Sequence, residues 1–168
     1  KNKYSNNVLI IKSGKERSES SLIALKYIKK FKPLNVLIHD AARPNFTIQL
    51  LKRLIKSLKT NKACIPVIKS KDSIKYKIKN QLFNLDRKNS YLTQTPQAFK
   101  FKDIYDLSVK QKNIVQDEAT LFINNNLKIK FINGETLNNK ITYKEDVQDT
   151  KIYFGIGFDI HRLIKGKK

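Results

Sequence analysis

Short apolar runs and longer amphipathic segments alternate along the N-terminal part of the chain, and this pattern predicts alternating strands and helices. Apolar runs at Val8 to Ile11, Asn35 to Asp40 and Ala63 to Ile68 each predict a short strand bounded by polar residues. Between them, the segments at about Ser18 to Lys30 and Thr47 to Lys59 have the spacing of amphipathic helices. This order predicts an α/β domain with a mostly parallel sheet covered on both faces.

Each predicted helix has one apolar face. The first helix places Leu22, Leu25 and Ile28 on that face. For the second helix we expect Thr47 to be the N-cap and the inner residues to be Ile48, Leu51, Ile55 and Leu58.

The middle of the chain has a period of two. Ile74, Tyr76 and Ile78 alternate with lysines, and a polar turn near Asn80 separates them from a return segment, so Asp72 to Asp86 predicts a projecting β-hairpin. Further helices are expected near Phe101 to Lys112, Glu118 to Asn124 and Lys144 to Tyr153, with a strand at Leu127 to Ile132.

The net charge of +21 raises the question of nucleic-acid binding. The excess comes from 30 Lys against 5 Arg, spread over the whole chain. A dedicated nucleic-acid binder is expected to be enriched in Arg, which binds phosphates and bases in bidentate fashion. We therefore expect no specific nucleic-acid partner and keep a basic nucleic-acid-binding module as the minor alternative.

Other features of composition bound the class of protein. The sequence contains no apolar run of the length that a membrane-spanning helix needs and no apolar signal stretch at its start, so we expect a cytoplasmic protein. A single cysteine, Cys64, excludes an internal disulfide. Because Met is absent, we expect Lys1 not to be a natural start and the domain to be truncated at its N-terminus.

Candidate site residues follow the predicted strands. Ligands of open α/β sheets bind beyond the carboxyl ends of the strands, where Asp40 could bind a metal or a hydroxyl group and Arg43 could bind an anion. The alternative is a helix-capping Asp and a surface Arg. Lys140 follows the last predicted strand, and among so many lysines its position alone indicates nothing.

Several motifs together resemble one enzyme family. The segments "VLIHDAARP", "DSIK", "TQTPQAF", "QDEA" and "GETLNNKITYKEDV" occur in the order and approximate spacing of 2-C-methyl-D-erythritol 4-phosphate cytidylyltransferase. "SGKERSES" is similar to that family's Gly-Gly-x-x-Arg-x-x-Ser segment. The resemblance covers about Val8 to Tyr153 and implies a Rossmann-like nucleotidyltransferase domain.

The resemblance implies a reaction and its participants. A phosphate oxygen of methylerythritol phosphate would attack the α-phosphorus of CTP and release pyrophosphate, with Mg²⁺ as cofactor, in non-mevalonate isoprenoid biosynthesis. By motif position, Lys140 and Arg87 are the implied catalytic residues, and Arg87 belongs to an arm that reaches the neighbouring subunit of a homodimer. The implied substrate-binding residues are Asp40, which could also bind Mg²⁺, together with Arg43, Ser73 and Thr95. Gly14 and Ser20 fall where the family contacts cytidine.

The tail resembles a different enzyme of the same pathway. "GIGFDIHRL" is similar to the start of 2-C-methyl-D-erythritol 2,4-cyclodiphosphate synthase, a lyase whose Asp-x-His metal ligands match Asp159 and His161. The implied domains are 1–152 for the cytidylyltransferase and 153–168 for the start of a synthase. Zn²⁺ or another divalent cation would bind there in an incomplete site, since catalytic zinc takes three protein ligands.

Departures from the family pattern lead to further expectations. Ser13 stands where the family has the first Gly of its pair, and Ser73 where Thr is usual. The family's N-terminal Gly-rich loop, which carries Lys and Arg, has no counterpart here, so we expect little turnover from these 168 residues alone. The remaining alternative within enzymes is another sugar-phosphate nucleotidyltransferase.

Overall fold

The structure is a computed structural model, and it describes residues 8–111 and 113–146. Four α-helices occur in this part of the chain: α1 (Arg17–Ile28), α2 (Ile48–Ser57), α3 (Phe101–Lys110) and α4 (Glu118–Asn124). The strands are β1 (Asn35–Ile38), β2 (Ala63–Lys69), β3 (Ile74–Ile78), β4 (Gln81–Leu85), β5 (Tyr91–Thr93), β6 (Gln97–Lys100) and β7 (Lys130–Asn133). The predicted α/β class is confirmed.

The main sheet has five strands centred on β2. One edge of β2 pairs with β6 at Ala63 and Cys64 and with β5 from Val67 onward, both antiparallel. The other edge pairs in parallel with β7, and β1 pairs antiparallel with β6. As a result β1, β2 and β7 run in one direction, and their carboxyl ends lie at the same end of the sheet.

This sheet differs from the mostly parallel one predicted from the sequence. Of its pairings among the described residues, only that of β2 with β7 is parallel. The reason is that the chain returns through Tyr91 to Lys100 and inserts β6 between β1 and β2. The "TQTPQAF" segment therefore contributes the end of β5 and most of β6 to the central sheet.

Two core clusters pack against the main sheet, one on each of its faces. The larger cluster includes α1, α3 and α4 residues around Phe99 and Phe122, whose rings stack 5.4 Å apart. The second cluster consists of Leu50 and Leu54 of α2 and of Leu58, which directly follows the helix, packed on Cys64 and Ala98. The single cysteine is buried, and burial raises the pKa of its thiol.

The predicted inner face of α2 is only partly right, because Leu58 is buried as predicted but the buried side of the helix is rotated about its axis towards Leu50 and Leu54. Leu50, Leu54 and Leu58 are fully buried, whereas Ile48 and Ile55 are 66% and 49% exposed. Thr47 is the N-cap as predicted, and its hydroxyl accepts a hydrogen bond from the Leu50 amide.

The remaining sequence predictions have mixed outcomes. No strand is present at Val8 to Ile11, where Val8, Leu9 and Ile10 are exposed and have no partner strand among the described residues. A two-stranded antiparallel sheet of β3 and β4 lies where the hairpin was predicted. The expected last helix appears only as a 3-10 turn at Lys144–Asp146, and the rest of it lies outside the described residues.

Within residues 8–111 and 113–146 we find no helix of the length and apolar character that crossing a bilayer requires.

The packing of α2 leads to a stability prediction. Leu54→Ala removes a fully buried side chain between α2 and the sheet, and such truncations cost about 2–5 kcal/mol because a cavity remains. Ile55→Ala, at the next residue and half exposed, is the matched control and should cost less than about 1 kcal/mol. Urea unfolding measures both, and equal losses would contradict the buried face described here.

Candidate active site

Asp40 lies just beyond β1, where its carboxylate meets three cationic side chains. Its Oδ1 is 3.3 Å from Arg17 Nε, and its Oδ2 is 3.8 Å from Lys140 Nζ and 3.9 Å from Arg43 Nε. The three cations come from the start of α1, the turn after β1 and the loop after β7. The fold thus brings together three distant parts of the sequence around one carboxylate, which we call the Asp40 cluster.

Arg17 connects this cluster to α4. Its guanidinium donates two hydrogen bonds, of 2.9 and 2.8 Å, to the two carboxylate oxygens of Glu118. The Glu118 side chain is only 2% exposed, so its negative charge needs a bound cation, and Arg17 supplies it. Burial acts to lower the pKa of Arg17, but Glu118 and Asp40 outweigh burial and raise it.

Arg43 is held by backbone carbonyls as well as by Asp40. Its Nη1 donates to the Asn138 carbonyl at 2.8 Å and its Nη2 to the Thr93 carbonyl at 3.4 Å. Burial lowers the pKa of Arg43, and Asp40 partly offsets this. Its buried Nε has no hydrogen-bond partner within the described part of the chain.

The loop that carries Lys140 is fixed by two amide side chains. Gln94 bonds the Glu135 amide at 2.9 Å and the carbonyls of Glu135 and Asn138 at 2.8 and 3.0 Å. Asn138 is fully buried and donates to the Thr95 carbonyl at 2.8 Å. Gly134 is required in this loop, since a Cβ there would collide with the Gln94 side chain.

Glu135 ties the same loop to the start of α2. Its carboxylate accepts hydrogen bonds from the Thr47 hydroxyl at 2.6 Å and the Thr47 amide at 3.1 Å, and it pairs with Arg53 at 3.3 Å. Burial acts to raise the pKa of Glu135, but these partners outweigh it and lower the pKa. The loop is therefore anchored on both sides, and the backbone that carries Lys140 is fixed although its side chain is half exposed.

Three adjoining cavities surround the Asp40 cluster, and Lys140 lines all of them. The first, of about 590 Å³, lies between α1 and β1 and also reaches Ser20 and Asp40. The second, of about 400 Å³, lies on the α4 side and includes Arg43 and Thr95. The third, of about 490 Å³, lies beside β5. Lys140 stands where the three spaces meet.

Most of the predicted site residues reach this region. Asp40, Arg43, Thr95 and Lys140 come together, Ser20 lines the first cavity, and the Gly14 amide donates to Ser20 Oγ at 3.0 Å. Ser73 and Arg87 line none of these cavities; Arg87 is exposed and donates to the Lys71 carbonyl at 3.0 Å. Asp159 and His161 lie outside the described residues.

Sequence reasoning missed Arg17 and Glu118, which hold Asp40 in place, and the Asn138 amide that helps to hold the Lys140 loop. A signal for Arg17 was present, since Arg is scarce in this chain and Arg17 falls within a motif noted above. Glu118 likewise belongs to "QDEA". A charged residue that will be buried needs a partner, and the sequence does not say which of many lysines and arginines supplies it.

The charge of the cluster suits an anion. Three cationic side chains face two carboxylates, Asp40 and Glu118, so the formal charge is three minus two, or +1. No group of three or more His, Cys, Asp or Glu side chains able to hold a metal occurs among residues 8–111 and 113–146. Asp40 offers one carboxylate, and Mg²⁺ is an ion that proteins commonly bind through one or two carboxylates plus substrate phosphates and water.

Comparison with known proteins finds a matching family. Residues 2–155 match the profile of the family described as IspD: 2-C-methyl-D-erythritol 4-phosphate cytidylyltransferase. The bifunctional enzyme IspD/IspF of Pelagibacter ubique (strain HTCC1062) is 50% identical over 163 residues, which are 96% of this chain and 44% of that protein. The chain therefore spans less than half the length of this relative.

Solved structures resemble the fold. The 4-diphosphocytidyl-2C-methyl-D-erythritol synthase of Anaerococcus prevotii DSM 20548 aligns with a TM-score of 0.78 at 34% identity, covering 86% of this chain and 68% of that one. The bifunctional IspDF of Campylobacter jejuni aligns with a TM-score of 0.74 at 31% identity, covering 86% of this chain and 37% of that one.

The Arg17 pair leads to a second stability prediction. Arg17→Gln leaves the buried Glu118 carboxylate without its cation, and we expect a loss of about 3 kcal/mol in the free energy of unfolding. Adding Glu118→Gln to this variant removes the unpaired charge and should restore part of the loss. Arg53→Gln, which breaks a more exposed pair, is the control and should cost less than about 1 kcal/mol. Urea unfolding that finds Arg17→Gln no worse than Arg53→Gln would contradict the role given to Arg17.

Proposed function

The chain belongs to the 2-C-methyl-D-erythritol 4-phosphate cytidylyltransferase family, and from this premise we propose that it provides the cytidylyl-transfer site of a longer enzyme. The reaction joins a phosphate oxygen of methylerythritol phosphate to the α-phosphorus of CTP, and the bond to pyrophosphate breaks. The observation that carries the proposal is the convergence of Asp40, Arg43 and Lys140 in one cationic cleft.

The two cavities on either side of the Asp40 cluster suggest how the substrates are arranged. We assign CTP to the cavity between α1 and β1, where Gly14 and Ser20 would contact the cytidine part. Methylerythritol phosphate is assigned to the cavity that contains Arg43 and Thr95. Because Lys140 lines both, the reacting phosphates would meet at its ammonium group.

Lys140 acts in this proposal by neutralising charge. Negative charge on the equatorial oxygens of the α-phosphate must be stabilised while the attacking and leaving oxygens lie in line. Lys140 Nζ, 3.8 Å from Asp40 Oδ2 and half exposed, can turn from Asp40 to those oxygens. Because the loop is anchored, the Lys140 backbone stays in place, and only the side chain has to move at the moment of reaction.

Asp40 would hold the CTP ribose or a Mg²⁺ ion. When bound at Asp40, Mg²⁺ would supply positive charge that neutralises the phosphate groups of the nucleotide. Arg17 orients the Asp40 carboxylate from the side opposite to Lys140, since the two cations contact different oxygens. Arg43 would bind the phosphate of the second substrate.

The relatives suggest a second activity in the longer protein. The relative from Pelagibacter ubique is a bifunctional IspD/IspF enzyme, and this chain spans 44% of its length. We propose the same fusion here, with a cyclodiphosphate synthase (lyase) domain that begins near residue 153. Asp159 and His161 would then be two ligands of its Zn²⁺ or other divalent cation.

The alternatives are less well supported. A different sugar-phosphate nucleotidyltransferase would share the sheet, but the profile match over residues 2–155 favours methylerythritol phosphate. A nucleic-acid-binding module would use a continuous basic face, whereas the cations of the cleft are paired with Asp40 and Glu118. The proposal includes a cytoplasmic location, as expected from the sequence.

The β3 and β4 hairpin is the proposed dimer arm. It forms its own two-stranded sheet and bears exposed apolar side chains, which would gain from burial against a partner. Their exposures are 40% for Tyr76, 53% for Ile78, 72% for Leu82, 37% for Phe83 and 41% for Leu85. An arm that reaches a second subunit would also give a role to Ser73 and Arg87, which lie outside the cavities of their own chain.

The first functional prediction concerns Lys140. In the longest protein that the gene encodes, we expect Lys140→Ala to lower turnover of CTP and methylerythritol phosphate by a factor of about 100 or more. A pyrophosphate-release assay with Mg²⁺ measures it, and Lys128→Ala, an exposed lysine outside the cleft, should stay within about twofold. Undiminished turnover of Lys140→Ala would refute its role, and no turnover by the wild-type protein would refute the proposed function.

The second functional prediction concerns the hairpin. Leu82→Asp places a charge in the proposed interface, so the protein should become monomeric when its mass is measured by light scattering after gel filtration. Asn126→Asp adds the same charge at an exposed position outside the hairpin and should leave the dimer intact. A wild-type monomer, or a dimer that survives Leu82→Asp, would rule out the hairpin as the arm.

A further inference from the structure

His39 occupies a fixed position between two residues of the proposed site. Its Nδ1 is 3.0 Å from Thr95 Oγ1, and its Nε2 is 2.9 Å from the Arg43 carbonyl oxygen. The ring packs edge-on against Phe46, with 4.5 Å between ring centroids. Both ring nitrogens are therefore used inside the protein, and His39 is held by three contacts.

The partners of His39 determine where its proton lies. A carbonyl oxygen can only accept, so Nε2 carries the hydrogen that binds the Arg43 carbonyl. In the neutral ring Nδ1 is then an acceptor, and the Thr95 hydroxyl donates to it.

The Thr95 hydroxyl has one remaining hydrogen-bonding capacity. Its proton is committed to His39 Nδ1, and one lone pair accepts the Asp40 amide N–H at 3.0 Å. A hydroxyl has one proton and two lone pairs, so a single lone pair is left. Thr95 lines the cavity assigned to the second substrate, and towards that cavity it can act only as an acceptor.

We propose that His39 is a positioning residue that keeps Thr95 an acceptor, so that Thr95 binds a hydroxyl group of the acceptor substrate and not a phosphate oxygen. A phosphate oxygen of a phosphate dianion has no proton to give to a lone pair, whereas a polyol hydroxyl has one. The phosphate is left to Arg43 and Lys140, which are donors only. This inference rests on the proposed function for the identity of the substrate, but the hydrogen-bond arrangement itself does not.

The tautomer of His39 can be measured without any activity. The chain has two histidines, so nitrogen NMR of the ¹⁵N-labelled chain, with His161→Ala for assignment, separates the His39 signals. We expect the neutral form of the ring to carry its proton at Nε2, and an Nδ1 resonance that moves when Thr95→Val removes the donor. A ring protonated at Nδ1, or an Nδ1 resonance that Thr95→Val does not change, would overturn the inference.

Kinetics of the longest encoded protein test the consequence for the substrate. Thr95→Val should raise KM for methylerythritol phosphate by about tenfold and leave KM for CTP within about twofold, because one bond to a substrate hydroxyl is lost. Thr95→Ser, which keeps the hydroxyl, should restore most of the loss, and Thr60→Val, outside the cleft, is the control. Competition by inorganic phosphate against methylerythritol phosphate should be the same in wild type and Thr95→Val.

Two results would count against the substrate assignment. Weaker competition by inorganic phosphate in Thr95→Val would mean that Thr95 binds phosphate, and an unchanged KM for methylerythritol phosphate would mean that it binds neither group. If the wild-type enzyme does not turn over these substrates, the proposed function fails, while the NMR result still decides the arrangement of His39 and Thr95.

Discussion

The Asp40 carboxylate is the point on which the site depends. It lies at the carboxyl end of β1 and contacts Arg17 from α1, Arg43 from the following turn and Lys140 from the loop after β7. Each cation would be repelled by the others at this spacing without a shared anion. Asp40, which all three cations contact, thus allows them to be concentrated in one cleft, with Glu118 as a second counter-charge for Arg17.

The buried ion pair of Arg17 with Glu118 gives this arrangement its rigidity. Glu118 begins α4 inside the core, and its charge can remain there only because Arg17 binds both carboxylate oxygens. The same guanidinium then contacts Asp40, so the ion pair between α1 and α4 sets the position of the carboxylate. Opposite to it, the Gln94 and Glu135 contacts fix the loop that delivers Lys140. Core packing and site geometry are therefore coupled through a few polar contacts.

Much of the fold could be predicted from the sequence, and each wrong prediction has a physical cause. Local signals located all four helices, since each predicted helical segment overlaps one of them, and Thr47 caps α2 as predicted. The inner face of α2 was misjudged because its apolar residues form one broad face, and only the sheet beneath it selects Leu50 and Leu54, on one side of that face, over Ile48 and Ile55 on the other. The antiparallel insertion of β6 depends on pairing between distant segments, which no local pattern records.

In the candidate site, too, local motifs predict some residues, while contacts between distant segments appear only in the structure. Motifs located Asp40, Arg43, Thr95 and Lys140, whereas the contacts that Arg17 and His39 make with these residues are visible only in the three-dimensional structure. The central claim is that Lys140 exchanges Asp40 for the α-phosphate of CTP. A crystal structure of the longest encoded protein with CTP and Mg²⁺ tests it most directly. The account predicts Lys140 Nζ within hydrogen-bonding distance of an α-phosphate oxygen in the cleft between α1 and β1; a triphosphate bound away from Asp40 and Lys140 would contradict it.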